Sequence, residues 1–282
     1  MLKHGLIMKK QITLAYSTCP NDTFIFFALA NNLIKSSITF SIYLKDVEAL
    51  NQDAKASLYD VSKLSFAAIG YMLDKYALLN TGSALGRGCG PLIVSREGFS
   101  IEGLKNSKIA VPGLLTTANM LLSLYLNKKP LSFPMTFDKI MPSVQNGKFD
   151  YGVIIHEGRF TYKDYNLICL IDLGKWWEDL TNLPIPLGGI AIRRDKIEYA
   201  ELINNAIFDS IEISNNNKNA ANKYIKKYAM EMSDNVISEH IKLYVNNYTL
   251  NIGQKGKEAI NTFYKYAYDA GLIPQPTKNI FA

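Results

Sequence analysis

Pro184-Ile185-Pro186-Leu187-Gly188-Gly189-Ile190-Ala191-Ile192 decides how this chain is organised. It is an extended, glycine-bearing stretch, and a second one, Gly88-Cys89-Gly90-Pro91-Leu92-Ile93-Val94, stands far upstream. The segment between them is long enough to fold as a small domain of its own. A chain that leaves one domain, builds another and returns makes two crossings and leaves a cleft between lobes. The competing reading makes both stretches rigid turns within one sheet; the pattern around them favours two lobes. The expected division is 1–97 with 188–282 as a larger discontinuous α/β domain and 98–187 as a smaller inserted one.

Outward from these crossings, strand-like and helix-like segments alternate. Gln11 to Ser17, Ile38 to Lys45, Asp60 to Ser65, Pro91 to Ser95, Lys108 to Val111, Leu131 to Thr136 and Asp150 to Ile155 read as strands. Asn21 to Ile34, Val47 to Ser57, Ala67 to Tyr76, Thr116 to Leu126 and Asp138 to Asn146 read as helices, the first announced by Asn21, Asp22 and Thr23. From Lys196 onward the pattern is helical. This order predicts an α/β fold with mainly parallel sheets.

The 282 residues, 48% hydrophobic and 20% charged, are those of a folded globular protein. The net charge of +6 suggests an anionic partner. Its basic residues are scattered in short clusters such as Lys128-Lys129 and Lys226-Lys227, unlike the concentrated face of a nucleic-acid binder. A small anionic ligand fits better, with no nucleic acid. Three cysteines, Cys19, Cys89 and Cys169, form neither a metal-site spacing nor a disulfide framework, which points to a reducing compartment. Met1 to Lys10 is basic but lacks the apolar core and cleavage site of a secretion signal, and Met8 reads as an alternative start. No stretch of about 20 apolar residues is present to span a membrane. A cytoplasmic protein without membrane association is expected.

Three strand-to-helix junctions carry similar polar chemistry: Ser17-Thr18-Cys19-Pro20-Asn21-Asp22-Thr23, Ser62-Lys63-Leu64-Ser65, and Val111 through Thr116-Thr117-Ala118. Free backbone N–H groups and the helix dipole make such N-termini seats for carboxylates. Hydroxyls add donors, and Lys63 adds a full positive charge. Plain N-capping explains any one junction; three of them beside a histidine ask for more. That histidine is His156, at the end of the strand-like run Tyr151-Gly152-Val153-Ile154-Ile155 and followed by Glu157-Gly158-Arg159. Ligands bind at the carboxyl ends of strands in open α/β sheets. An imidazole there, with an unperturbed pKa of about 6.5, suits proton transfer at neutral pH. Taken alone, a surface or capping histidine explains it equally well.

Other candidates are weaker. Cys19 before Pro20 sits where a helix start lowers a thiol pKa, but no second histidine stands obviously ready to activate it. Trp176-Trp177-Glu178 reads either as the wall of an aromatic pocket or as core. Gly86-Arg87-Gly88-Cys89-Gly90 lacks nucleotide-loop spacing and reads as a turn or hinge. His240, with Ile237, Ile241 and Tyr244 on one helix, reads as structural.

Taken together, Ser17-Thr18-Cys19-Pro20-Asn21-Asp22-Thr23-Phe24-Ile25-Phe26, Ala84-Leu85-Gly86-Arg87-Gly88 and His156-Glu157-Gly158-Arg159-Phe160-Thr161-Tyr162 resemble the 1,4-dihydroxy-6-naphthoate synthase family, which serves menaquinone biosynthesis in the futalosine pathway. The similarity runs from about residue 11 to the C-terminus and includes Asp172-Leu173-Gly174 with Trp176-Trp177-Glu178. Each motif alone is modest, and their joint order is specific. The resemblance implies a two-lobed fold like type II periplasmic binding proteins. It implies a lyase that cleaves cyclic dehypoxanthine futalosine to 1,4-dihydroxy-6-naphthoate and a small carbohydrate fragment. His156 then falls on the family's proton acceptor. Lys63, Leu64 and Ser65, with Thr117 and Ala118, fall on its substrate contacts. No metal and no cofactor is implied. The family often has serine at the third motif position where this chain has Gly158, which leaves the rigidity of that loop open.

Three other readings remain. Chorismate dehydratase, the sister enzyme, shares the implied fold but is not expected to carry the Cys-Pro-Asn-Asp-Thr run or the His-Glu motif. A solute-binding protein would need a secretion signal or lipid anchor. A regulator's effector domain would need a DNA-binding module.

Overall fold

A computed structural model describes residues 10–229 and 232–282. The segment ahead of Lys10, with the alternative start at Met8, lies outside the described residues. The chain first lays down β1 (Lys10–Tyr16), β2 (Ile38–Leu44), β3 (Val61–Ser65), β4 (Tyr76–Leu78) and β5 (Ala84–Gly86). It then builds a second sheet from β6 (Leu92–Ser95), β7 (Lys108–Val111), β8 (Leu131–Pro134), β9 (Tyr151–Ile154) and β10 (Ile168–Asp172). β11 (Ile185–Arg193) returns to the first sheet. The orders are β2-β1-β3-β11-β4, with β5 also on β11, and β10-β6-β9-β7-β8.

The expectation of mainly parallel sheets is corrected: both are mixed. β1 runs parallel to β2 and β3, and β7 parallel to β8 and β9. The returning β11 is antiparallel to β3, β4 and β5, and β6 is antiparallel to β9 and β10. The expected helix Ala67–Tyr76 is also shorter, covering Phe66–Tyr71, because Tyr76-Ala77-Leu78 pairs with β11 instead. A short apolar run carries no period that separates helix from strand.

The sheets also locate the crossings. β6 already bonds between β9 and β10, so the chain passes to the second lobe between Gly86 and Leu92, ahead of the expected boundary at 97. Ser95 ends a strand inside the second lobe and is not itself a passage. The return falls ahead of Ile185, before the expected 188. Close backbone contact holds the first passage: a Cβ on Gly90 would lie 2.3 Å from the Gly174 Cα.

The largest apolar cluster runs through the junction rather than stopping at it. It contains Leu64, Phe66 and Leu78 of the first lobe, Ile109, Val111 and Val153 of the second, and Trp177. Trp177 is fully buried and meets Phe263 edge-on at 5.6 Å, and its indole N–H donates to the Pro184 carbonyl at 3.3 Å. It is core, not the wall of a ligand pocket. Truncation of such a residue to alanine costs about 3–5 kcal/mol.

Strand polarity then positions the site. β1, β3, β7 and β9 all end toward the space between the lobes. Helices Pro20–Ala30, Phe66–Tyr71 and Thr117–Leu126 start there. Ser17, Ser65, Thr116 and His156 therefore meet, although their sequence positions are widely separated.

Candidate active site

Between the lobes lies a cleft lined by Lys63, Leu64, Ser65, Thr117, Ala118 and His156. All six residues singled out by sequence reach one cavity. What each can offer there differs from the sequence expectation.

Lys63 sits on β3, whose five residues are all buried between β1 and β11. A buried ammonium needs a partner, and Asp22 supplies it at 2.6 Å. Lys63, expected to add a full positive charge at this junction, instead pairs that charge with Asp22. Asp22 is itself held by the Ser17 hydroxyl at 2.6 Å, the Ser17 N–H at 3.2 Å and the Asn21 amide at 2.9 Å. The Asn21 Nδ2 donates to Asp22, so its Oδ1 accepts from His240 Nε2 at 2.9 Å, which fixes the Nε2–H tautomer of that fully buried histidine. His240 is structural, as read from sequence, and what it supports is the Asp22–Lys63 pair.

Thr117 is also committed. Its hydroxyl donates to the Leu187 carbonyl at 2.7 Å and accepts from the Ala67 N–H at 3.2 Å. That ties the second lobe to β11 and to the helix after β3. Thr117 and Ala118 retain first-turn backbone N–H groups, which have no intrahelical acceptor, and Thr116 caps this helix through the Asn119 N–H. Ser65 differs: its Oγ accepts from Asn51 Nδ2 at 3.1 Å, and among the described residues its own proton has no protein acceptor.

His156 follows β9 with φ of +55°, in the left-handed region. Non-glycine residues occupy that region rarely, and such strain collects at functional sites. Gly158 takes no positive φ, and a Cβ there would meet Ile154 and Met141 at ordinary contact distances of 3.4 Å and more. The glycine that departs from the family motif thus needs no special backbone; the histidine does. Burial pushes the imidazole pKa below its ordinary value, against the upward pull of Glu157 and Asp22. The ring lies edge-on to Phe137 at 5.2 Å, and Cys19 Sγ stands 3.3 Å from Nδ1. Sequence reading found no histidine near Cys19 because the pair is joined only across the cleft.

Other motif residues hold the frame. Arg159 donates to the Gly90 carbonyl at 2.8 Å and to Asp172 at 2.5 Å, and Asp172 caps the helix Leu173–Thr181. Glu178 accepts from the Gly88 N–H at 2.8 Å. Asn51, Glu48 and Tyr244 were missed by sequence reading. Asn51 and Glu48 lie on one helix face without any motif, and Tyr244 lies on the helix read as purely structural. Among the described residues, no three His, Cys, Asp or Glu side chains come together as a metal-binding group, and no helix is long and apolar enough to cross a membrane.

A family model described as menaquinone biosynthesis matches residues 12–269. A 1,4-dihydroxy-6-naphthoate synthase of Thermus thermophilus is 40% identical over 271 residues, covering 96% of this chain and 98% of that protein. Its counterpart from Streptomyces coelicolor is 39% identical over 269 residues, with 93% and 95% covered. A crystal structure of an Archaeoglobus fulgidus protein superposes with a TM-score of 0.88 at 34% identity, covering 96% of this chain and 100% of that one. The alkanesulfonate-binding protein of Xanthomonas axonopodis superposes with a TM-score of 0.71 at 12% identity, covering 94% and 95%, a likeness of fold alone. The two lobes are those of a periplasmic-binding-protein-like fold.

Proposed function

The chain belongs to the 1,4-dihydroxy-6-naphthoate synthase family of menaquinone biosynthesis, and from that premise we propose that it is a carbon–carbon lyase of the futalosine pathway. It cleaves cyclic dehypoxanthine futalosine to 1,4-dihydroxy-6-naphthoate and a small carbohydrate fragment. His156 takes the proton. The observation that carries this reading is a left-handed, partly buried histidine at a strand end, facing a cleft between lobes.

Burial favours the neutral imidazole, so a lone pair is ready at neutral pH. Taking the proton creates a cation, which the neighbouring charges of Glu157 and Asp22 favour. The substrate carboxylate is held by the N-terminus of the helix Thr117–Leu126, through the Thr117 and Ala118 N–H groups. Ser65 donates a further hydrogen bond and Leu64 supplies apolar wall. Lys63 acts as half of a neutral pair with Asp22, so helix termini rather than a free ammonium attract the anion. The step uses no metal and no redox cofactor. A cytoplasmic location suits the three free thiols, Cys19, Cys89 and Cys169.

Incubation with cyclic dehypoxanthine futalosine is expected to release a species with naphthoate absorbance. No release from that compound, with dehydration of chorismate instead, would shift the reading to the sister enzyme.

A further inference from the structure

Asn51 is fully buried on the helix Val47–Lys55 and reaches Ser65 with both ends of its amide. The Ser65 N–H donates at 3.0 Å, so the atom that accepts must be Oδ1. Nδ2 then faces the Ser65 Oγ at 3.1 Å and the Glu48 Oε2 at 3.3 Å. Because the Glu48 carboxylate can only accept, the amide cannot be turned round. A donor thus occupies one lone pair of the Ser65 hydroxyl, and among the described residues no protein acceptor takes its proton. Ser65 faces the cleft as a hydrogen-bond donor.

Glu48 continues the chain of contacts into the other lobe. Both its oxygens accept from the Leu115 N–H, at 3.3 and 3.2 Å, just ahead of the helix Thr117–Leu126. The carboxylate fits there because residue 113 is glycine: a Cβ would lie 2.3 Å from Oε2. Leu115 N–H, Glu48, Asn51 and Ser65 therefore form one line of hydrogen bonds from the second lobe to the cleft.

We propose that Asn51 is a positioning residue that sets the Ser65 hydroxyl as a donor toward the substrate and, through Glu48, links that setting to the docking of the second lobe. The inference rests on the reading of Ser65 as a substrate contact. It makes the site selective for an acceptor oxygen at that point.

The test measures kcat and KM for cyclic dehypoxanthine futalosine in the wild type, Ser65→Ala, Asn51→Asp and the double variant, with thermal unfolding alongside. An aspartate buried at 51 shares one proton with the Glu48 carboxylate beside it, so it offers Ser65 an acceptor in place of a donor, and the Ser65 hydroxyl turns away from the cleft to donate to it. Ser65→Ala and Asn51→Asp are each expected to raise KM about tenfold or more, the scale of one lost hydrogen bond to a charged group. The double variant should be little worse than either, and kcat should change less than KM. Independent, multiplying losses would overturn the inference, as would an Asn51→Asp that melts lower but keeps its KM. Gly113→Ala displaces Glu48 from the opposite lobe and serves if Asn51→Asp does not fold; it too should raise KM, and an unchanged KM would refute the link. Wild-type protein inactive on this compound would defeat the substrate reading and this inference with it, whereas independent losses on an active wild type defeat this inference alone.

Discussion

The thiol of Cys19 stands beside the imidazole of His156, 3.3 Å from Nδ1 and 3.8 Å from Nε2. A sulfur in line with the Nδ1 lone pair would leave Nε2 much farther away, so the thiol flanks the ring instead of forming a directed relay. Burial and the nearby Asp22 carboxylate push its pKa well above the ordinary thiol value. Cys19 is therefore a neutral neighbour of the proposed base, not the nucleophile that its place at a helix start suggests.

Replacing the two residues separates these roles. His156→Asn should lower kcat by at least about 10²-fold, the scale of a positioned acid–base group. Asparagine tolerates the left-handed backbone, so fold and ligand affinity should survive. Cys19→Ala should stay within about tenfold of wild type and Cys19 should alkylate slowly at neutral pH. A dead Cys19→Ala with an active His156→Asn would reverse the assignment.

Burial also sets the pH profile. A base is active when neutral, and the pKa of His156 is depressed from 6.5, so kcat/KM should hold at pH 6.5 and fall only at lower pH. His240 is held well below 6.5 by burial and by the neighbouring His156 and Lys63. Below about pH 6.5 the unfolded chain binds protons that the folded histidines refuse, so this part of the stability is present above that pH and lost as pH falls. Denaturant midpoints from pH 8 to 5 should show the decline, and a His240→Gln variant should show less of it. An acid limb above pH 6.5 would contradict a His156 imidazole held neutral by its partial burial.

Lys63 and Asp22 form a pair almost shielded from water, with side-chain exposures of 6% and 2%. Lys63→Met leaves a buried carboxylate uncompensated and should destabilise the fold by about 3–5 kcal/mol. Asp22→Asn on that background should recover part of the loss in denaturant unfolding. A Lys63→Met protein as stable as wild type but unable to bind substrate would restore the free-charge role.

Thr117→Val removes a hydroxyl bonded to Leu187 and Ala67 rather than one pointing into the cleft. Its main effect should be a stability loss of about 1–3 kcal/mol, with a smaller rise in KM than Ser65→Ala. Equal KM effects with no change in melting would return the hydroxyl to the substrate.

Sequence by itself determined what depends on neighbours along the chain. Lys108 to Val111 was readable as a strand and Thr116 as a helix start, because apolar runs and capping residues act within a turn or two. The polar junctions and His156 at a strand end were legible for the same reason, and strand polarity gathered them at one cleft. Only the tertiary structure decided that β11 returns antiparallel, that Tyr76-Ala77-Leu78 is a strand, and that Lys63 faces Asp22 and Ser65 faces Asn51. Cys19 and His156 lie 137 residues apart, and no local preference records which distant group will pack beside a given side chain. The left-handed turn at His156 belongs to the same class: an isolated chain gains nothing from that conformation, so nothing local announces it.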